Sequence, residues 1–121
     1  MNKVILCVDN DPEDLDIFRE AITETKLPLT CVPVLSGMEA LSYLASNIPD
    51  FIFLDINMPV MNGREVLKSI RGLRHLDDVP VVIMSTSISD REDLMRQGAT
   101  ECIAKSGNFH DLCLSLKKFF Q

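Results

Sequence analysis

Short apolar runs alternate along the chain with segments in which apolar residues recur every three or four positions. Runs of this length, rich in β-branched residues, are typical of buried strands, and the longer spacing is typical of amphipathic helices. Strands are predicted over residues 3–8, 29–35, 51–54, 79–84 and 102–104. Helices are predicted over residues 12 to about 25, 38–47, 64 to about 71, 90–97 and 109–120. Residues 72–78 are predicted to be the least structured stretch.

The helical spacing also predicts which side chains face the core. In the first two helices the predicted inward residues are Leu15, Phe18, Ala21 and Ile22, then Met38, Leu41, Leu44 and Ala45. In the last helix they are Phe109, Leu112, Cys113, Leu116, Phe119 and Phe120.

Several helix ends carry capping signals. Asp11-Pro12 is typical of an N-cap followed by proline at the first helical position, and Gly98 is typical of a helix end. Capping boxes are indicated by Ser36-x-x-Glu39 and Ser89-x-x-Glu92, and Asn62-x-x-Glu65 is close to one.

Strands that alternate with helices predict a parallel sheet covered on both faces, because parallel strands need crossover connections. Pro33 lies in the second predicted strand. Proline cannot donate to a ladder, so this strand is predicted at a sheet edge. That placement favours a five-stranded, flavodoxin-like α/β fold of order 2-1-3-4-5 over a Rossmann arrangement. In such a three-layer (βα)5 fold, ligands bind beyond the carboxyl ends of the strands, between strands one and three.

Composition and charge narrow the class of protein. The 121 residues suit one domain, predicted over residues 1–121, and the formal net charge is −6. An acidic excess argues against a nucleic-acid binder, and no apolar run is long enough for a membrane span. The N-terminus lacks the features of a signal peptide. The four cysteines show no metal or redox spacing. A soluble, cytoplasmic domain is predicted.

Polar residues follow the apolar strands, at the ends that should meet. Asp9-Asn10-Asp11 follows the first strand, Asp55 the third, Ser85-Thr86-Ser87 the fourth, and Lys105 the fifth. Carboxylate, amide and backbone oxygens suit Mg²⁺. A carboxylate beside such a metal can act as a nucleophile and form an acyl phosphate, while hydroxyls and an ammonium neutralise the phosphoryl oxygens. The set therefore predicts phosphoryl transfer.

Each of these residues also has an ordinary structural interpretation. Asp11 is most simply a helix cap, Asp9 a strand-end surface acid, Ser85 part of a turn, and Lys105 a solvated charge. Asp55 fits such an interpretation least well, because it lies between the apolar run FIFL and a proline-containing loop. The joint placement at four strand ends, rather than any single residue, carries the hypothesis.

From Asp55 to Gly63 the chain reads DINMPVMNG, which matches the D-x-x-M-P-x-x-(D/N)-G loop of response-regulator receiver domains. The chain resembles this CheY-like family of bacterial two-component signalling over essentially its whole length. The resemblance implies that Asp55 accepts a phosphoryl group from a histidine kinase. It also implies a Mg²⁺ site and a set of phosphoryl-contacting or switch residues. The implied metal ligands are Asp9, Asn10, Asp55 and the backbone carbonyl of Asn57, and the implied switch residues are Ser85, Thr86, Lys105 and Cys102.

Three positions depart from the family pattern. Asn10 replaces the second acid of the metal-binding pair, so one negative charge is lost and Mg²⁺ affinity is expected to fall. Asp11 is not expected to compensate, because it caps a helix. Cys102 stands where the family often has a rotating Tyr or Phe. Ser106 follows Lys105 in place of the usual proline, so a cis peptide bond is not expected there.

The resemblance also bears on partners. The predicted last helix reaches residue 120, so no output domain is expected. The prediction is a stand-alone receiver, or phosphorelay shuttle, that acts on an unknown downstream protein. The phosphoryl donor would be a histidine kinase or a phosphotransfer protein. Receivers of this kind can dimerise through the face formed by helix 4, strand 5 and helix 5. The run IMSTS and residues 72–78 are also similar to small regulators associated with phytochrome-type kinases.

Other functions stay open at this stage. A pseudo-receiver, a binding module that is not phosphorylated, would fit Asn10 and Cys102. A phosphatase of the haloacid-dehalogenase type also uses a strand-end aspartate, but it needs a second aspartate where Asn57 stands, and a cap domain. A flavodoxin would have a Gly/Ser/Thr-rich phosphate loop after the first strand, where this chain is acidic.

Overall fold

The computed structural model describes residues 2–85, 90–105 and 108–120. The strands are β1 (Lys3–Val8), β2 (Leu29–Val34), β3 (Phe51–Asp55), β4 (Val81–Ser85) and β5 (Glu101–Ala104). The helices are α1 (Pro12–Glu24), α2 (Gly37–Leu44), α3 (Gly63–Arg71), α4 (Arg91–Arg96) and α5 (Phe109–Phe120), with a short 3-10 helix at Arg74–Leu76.

The strands form one parallel sheet in the order β2-β1-β3-β4-β5. The predicted flavodoxin-like topology is therefore confirmed, and so is the edge position of β2, the strand that contains Pro33. Because the crossovers place helices on both faces, the sheet is the middle of three layers. All five strands consequently direct their carboxyl ends to the same edge of the sheet.

Alternate residues of the strands enter two separate apolar cores. From β1, Ile5 and Cys7 pack with residues of α1 and α5, whereas Leu6 and Val8 pack with residues of α2, α3 and α4. The first core is rich in aromatic rings, among which Phe53 lies in contact with several others. The second core is almost entirely aliphatic. Burial on both sides explains why the strands read as continuous apolar runs.

Most capping predictions hold where the structure describes the residues concerned, but the box predicted at Ser36 and Glu39 is incomplete, because the Glu39 side chain accepts from the N–H of Leu35. The side chains of Asp11 and Ser36 accept hydrogen bonds from the first turns of α1 and α2. Asn62 and Glu65 form a complete capping box at α3. Gly98 follows α4 with a φ of 111°, a backbone conformation that favours glycine. The capping box predicted at Ser89 lies outside the described residues.

Three side chains predicted to face the core are exposed: Met38, Ala45 and Phe109. In α2, the small residues Gly37 and Ala40 face inward instead. A Cβ on Gly37 would lie 2.6 Å from Val66 Cγ2, so α2 approaches α3 too closely for a large side chain on that face. Ala45 lies beyond the last turn of α2, and Phe109 is the first residue of α5, where packing is incomplete.

Residues 72–78 are more ordered than predicted, because their polar backbone groups have specific partners. Leu76, within the 3-10 helix, is fully buried. The guanidinium of Arg71 donates to the carbonyls of Gly98, Leu76 and Val79, at 2.9, 3.1 and 3.0 Å. Val79 donates to Leu76 within this turn, so β4 begins at Val81 and not at residue 79.

Candidate functional site

Buried polar side chains gather where strands end. Among the described residues, Asp9, Asp55 and Ser85 are the buried polar ones, with 5%, 4% and 8% of their surface exposed. Asp9 directly follows β1, and Asp55 and Ser85 are the last residues of β3 and β4. Burial of charged groups is costly unless they are paired. Their presence at one edge of an otherwise apolar sheet therefore marks a site.

Lys105 directly follows β5 and brings its ammonium into this group of acids. Its Nζ lies 2.8 Å from Oδ2 of Asp9, 3.0 Å from Oδ2 of Asp14 and 3.4 Å from Oδ2 of Asp55. Its backbone N–H donates to the carbonyl of Ser85. The Lys105 ammonium thus joins carboxylates from two distant segments, residues 9–14 and the end of β3, and the contacts with Asp9 and Asp55 agree with the predicted meeting of the strand ends.

At this site, burial and the neighbouring charged groups have opposing effects on the pKa values of Asp55 and Lys105. Burial, aided by the negative charge of Asp9, raises the pKa of Asp55, although Lys105 and the N–H of Asn57 oppose this shift. Burial alone would lower the pKa of Lys105, but its hydrogen bonds to Asp9 and Asp14 and the charge of Asp55 raise it above the usual value. Lys105 is consequently a fixed positive charge, and the two buried carboxylates are held together by it.

The loop after β3 is folded back tightly on the end of the strand. The N–H of Gly63 donates to the carbonyl of Ile56 at 3.1 Å. A Cβ at position 63 would lie 2.6 Å from the carbonyl oxygen of Asp55, so only glycine fits this close approach. The N–H of Asn57 donates to Oδ1 of Asp55. These contacts fix the loop against the end of β3 and place one donor on the Asp55 carboxylate.

The oxygen donors at this edge fit a hard divalent cation. Asp9 and Asp55 supply two carboxylates that already share one cation, the Lys105 ammonium. Asn10 and Asn57 lie in the loops that follow Asp9 and Asp55, and both residues are exposed. Oxygen-only sites of this kind suit Mg²⁺ rather than a softer metal. Within the described ranges, no group of three His, Cys, Asp or Glu residues is arranged to hold a metal ion.

Of the other residues singled out from the sequence, some lie outside the described residues and one lies away from the acidic edge. Thr86 and Ser106 lie outside the described residues. Cys102 is half-buried within β5 and packs against the aliphatic core. Its carbonyl accepts a hydrogen bond from Arg91, which also pairs with Glu101 at 2.6 Å. Cys102 therefore belongs to the surface between α4 and β5 and not to the acidic edge.

The sequence argument missed Asp14, which contacts Lys105 directly. Asp14 lies in the first turn of α1, where acidic residues are common and are usually ascribed to the helix dipole. One signal could have revealed it. Asp14 is four residues before Phe18, a core residue, so both lie on the side of α1 that faces the sheet.

Comparison with known proteins identifies the family. The model of the response regulator receiver domain matches residues 5–117. The transcriptional regulatory protein PrrA of Mycobacterium tuberculosis is 33% identical over 103 residues, which are 84% of this chain but 42% of PrrA. This chain thus spans less than half of that relative. The response regulator Rcp1 of Synechocystis is 29% identical over 119 residues, covering 91% of this chain and 81% of Rcp1.

Solved structures agree with this match. The phosphorylated cyanobacterial phytochrome response regulator RcpA has a TM-score of 0.87 at 33% identity, covering 98% of this chain and 91% of RcpA. The Mn²⁺-bound form of Rcp1 has a TM-score of 0.83 at 27% identity, covering 97% of this chain and 91% of that one.

The fold and these matches define a response-regulator receiver architecture. The chain belongs to the response regulator receiver domain family, whose members are signalling domains of two-component systems and not classical enzymes. In the part of the chain that the structure describes, no helix has the length and apolarity needed to cross a membrane.

Proposed function

We propose that this chain is a phospho-accepting switch in which Asp55 receives a phosphoryl group from a histidine kinase or a phosphotransfer protein. The observation that carries the proposal is the buried Asp55 carboxylate at the end of β3, with Lys105 at 3.4 Å and Asp9 paired to the same ammonium. We propose a bacterial, cytoplasmic setting, with a downstream protein as the recipient of the signal.

In this mechanism an Asp55 carboxylate oxygen attacks phosphorus, and the bond between phosphorus and the donor's histidine nitrogen breaks as the acyl phosphate forms. Lys105 lies on the side of Asp55 where its ammonium would pair with the transferred oxygens. The hydrogen bond from the Asn57 N–H to Oδ1 of Asp55 would help to orient the carboxylate and so lower the entropic cost of attack. An open groove of 530 Å³ beside the site, lined by Asn57, Arg64 and Ser85 among others, leaves room for the donor.

Asp9, Asp55, Asn10 and the backbone carbonyl of Asn57 are the residues that would hold Mg²⁺. The ion would neutralise negative charge shared by the carboxylates and the phosphoryl oxygens. Asn10 contributes no charge, so we expect weaker binding than a pair of acids would give. The Mn²⁺-bound form of Rcp1 and the phosphorylated form of RcpA support divalent-metal binding and phosphorylation in relatives of this chain.

Phosphorylation would draw Ser85, Thr86 and Lys105 toward the phosphoryl oxygens and so shift the surface formed by α4, β5 and α5. We propose this surface as the output face and as the face of a homodimer. Cys102 lacks the aromatic ring that would report the change in other receivers. The Arg91–Glu101 ion pair, which joins α4 to β5 beside Cys102, is the contact through which this chain would transmit the shift.

Incubation with acetyl phosphate and Mg²⁺ followed by intact-mass measurement tests the proposal. The wild-type protein should gain the mass of one phosphoryl group, and the gain should disappear with a metal chelator. Asp55→Asn should gain nothing, and Asp50→Asn, an exposed acid just before β3, should behave as wild type. An unmodified wild-type protein, or a modified Asp55→Asn, would contradict the proposal.

A pseudo-receiver remains a second candidate, favoured by the exposed, uncharged Asn10 and by the contact of Lys105 with both buried carboxylates. In this alternative Lys105 serves as a permanent internal counter-ion, and no metal replaces it. A Mg²⁺ titration followed by amide NMR separates the two. Shifts centred on Asp9 and Asp55 at millimolar Mg²⁺ favour the switch, and an unchanged spectrum favours the pseudo-receiver.

A further inference from the structure

Asp14 belongs to the acidic edge, although it is neither a predicted metal ligand nor a core residue. Its Oδ2 accepts a hydrogen bond from Lys105 Nζ at 3.0 Å, close to the 2.8 Å of the Asp9 contact. Its side chain is 39% exposed, whereas those of Asp9 and Asp55 are 7% and 5% exposed. Asp14 therefore holds the outer side of the ammonium, and the two buried carboxylates hold its inner side.

Both oxygens of Asp9 are already occupied by donors. Oδ1 accepts the N–H of Asp11 at 3.0 Å, and Oδ2 accepts from Lys105. A divalent cation that binds Oδ2 of Asp9 would bring a second positive charge beside the Lys105 ammonium, and the repulsion between the two would weaken the contact between Lys105 and Oδ2. A partly buried ammonium that loses one carboxylate needs another acceptor, because an unpaired buried charge is costly. Asp14 is already in contact and is that acceptor.

The net charge of the acidic edge also depends on Asp14. Asp9, Asp14 and Asp55 around the single ammonium of Lys105 leave a net charge of −2. Without Asp14 the charge would be −1, because Asn10 is neutral. Asp14, in the first turn of α1, thus supplies one of the two negative charges by which these carboxylates exceed the Lys105 ammonium.

We propose that Asp14 is a positioning residue that retains the Lys105 ammonium when a divalent cation binds, and so frees Asp9 and Asp55 for the metal. The inference rests on the proposed function, because it concerns the metal site of the switch. It differs from a general charge effect, since Asp14 acts through Lys105.

Calorimetric titration of the full chain with Mg²⁺ is the first test, and it requires no phosphorylation. Asp14→Asn should bind Mg²⁺ about 3- to 10-fold more weakly than wild type, because Lys105 would then stay paired with the carboxylates that the ion needs. Asp16→Asn, on the same helix, removes an equal charge that contacts only Arg19, at 4.0 Å. It should change the affinity less than about 2-fold. Asp14→Glu, which keeps the charge, should restore most of the binding.

A second titration in a Lys105→Met background tests the route of the effect. If Asp14 acts through Lys105, adding Asp14→Asn to Lys105→Met should change the Mg²⁺ affinity less than about 2-fold. An equally large loss in both backgrounds would overturn the inference and leave a plain charge effect. Thermal melts confirm that each variant is folded.

The outcomes also separate this inference from the proposed function. Equal Mg²⁺ binding by Asp14→Asn and Asp16→Asn, in a wild-type protein that binds Mg²⁺ and is phosphorylated on Asp55, overturns the role of Asp14 alone. Failure of the wild-type protein to bind Mg²⁺ overturns both.

Discussion

Two partly buried cations, one near each end of the sheet, have opposite kinds of partner. Arg71, near the amino ends of β4 and β5, donates to three neutral backbone carbonyls. Lys105, at the carboxyl ends, contacts three carboxylates. Burial lowers the pKa of Arg71, and its neutral partners do not reverse that shift. The carboxylates around Lys105 outweigh the same burial effect and raise its pKa.

The difference separates a structural contact from an exchangeable one. The carbonyls around Arg71 are neutral backbone groups that lose a hydrogen bond if the guanidinium is removed, although the carbonyl of Leu76 keeps the N–H of Val79. The carboxylates around Lys105 are ligands that a dissolved divalent cation can also satisfy. The stability contributed by the first arrangement should therefore not depend on dissolved divalent cations, while that of the second should.

Replacement of Arg71 should have the largest effect on stability. We expect Arg71→Met to lower the free energy of unfolding by about 2–4 kcal/mol, because three carbonyls lose charge-assisted hydrogen bonds. Urea denaturation measures the loss, and Mg²⁺ should not restore it. Arg74→Met, at an exposed position in the neighbouring 3-10 helix, is the control. A loss no larger than that of the control would show that the three hydrogen bonds are not stabilising.

Replacement of Lys105 should lower the free energy of unfolding by less, and Mg²⁺ should reverse the loss. We expect Lys105→Met to lower the free energy of unfolding by about 1–3 kcal/mol without Mg²⁺, because two buried carboxylates lose their counter-ion. Added Mg²⁺ should recover most of this loss, since the ion pairs with the same carboxylates. Lys117→Met, an exposed lysine on α5, controls for charge. A loss that Mg²⁺ leaves unchanged would remove the distinction between the two cations.

Asp55→Asn should change stability in opposite directions with and without metal. Burial and the charge of Asp9 raise the pKa of Asp55, so its ionised form is disfavoured in the folded chain. Without Mg²⁺ we expect the free energy of unfolding to rise by about 1 kcal/mol, because a repulsive buried charge is removed. With Mg²⁺ the variant should be the less stable protein. Thermal melts with and without the ion, with Asp78→Asn as an exposed control, decide this.

The Arg91–Glu101 ion pair is exposed, unlike the contacts of Arg71 and Lys105. Of the contacts compared, it should contribute least to the free energy of unfolding. The Cys102 N–H donates a hydrogen bond to the Glu101 carboxylate, and this bond, together with Arg91, lowers the pKa of Glu101. A group with a lowered folded pKa stabilises the fold above its unfolded pKa and loses that contribution as the pH falls through the folded value. We expect Glu101→Gln to cost about 0.5 kcal/mol near pH 7, because the pair is solvent-exposed. The difference from wild type should vanish in acid, and a constant difference across pH would contradict this origin.

Most of the fold could be predicted because its signals are local. Buried strands read as apolar runs, and Pro33 alone placed β2 at the edge and so selected the topology. The errors arose where a contact between distant residues decided the outcome. Met38 points outward because Gly37 and Ala40 pack against α3, and the order in residues 72–78 depends on Arg71, which precedes them. No periodicity within either segment encodes those partners.

The residues at the strand ends of the site could be predicted to lie together, but the helix residue Asp14 could not. Asp9, Asp55, Ser85 and Lys105 end four strands of one parallel sheet, so topology alone brings them together. Asp14 lies on a helix, and its contact with Lys105 depends on how α1 is rotated against the sheet. That rotation follows from core packing around Phe18, which requires the three-dimensional structure.

The proline in β2 also has a consequence for how copies of this chain meet. The carbonyl of Val34 accepts a hydrogen bond from Asp9, so the backbone groups of Val34 point into the sheet and those of the adjacent Pro33 point toward the free edge. Proline has no N–H to offer there. An incoming strand would therefore find a gap in the row of donors, and sheet extension or fibril-like stacking through this edge is disfavoured.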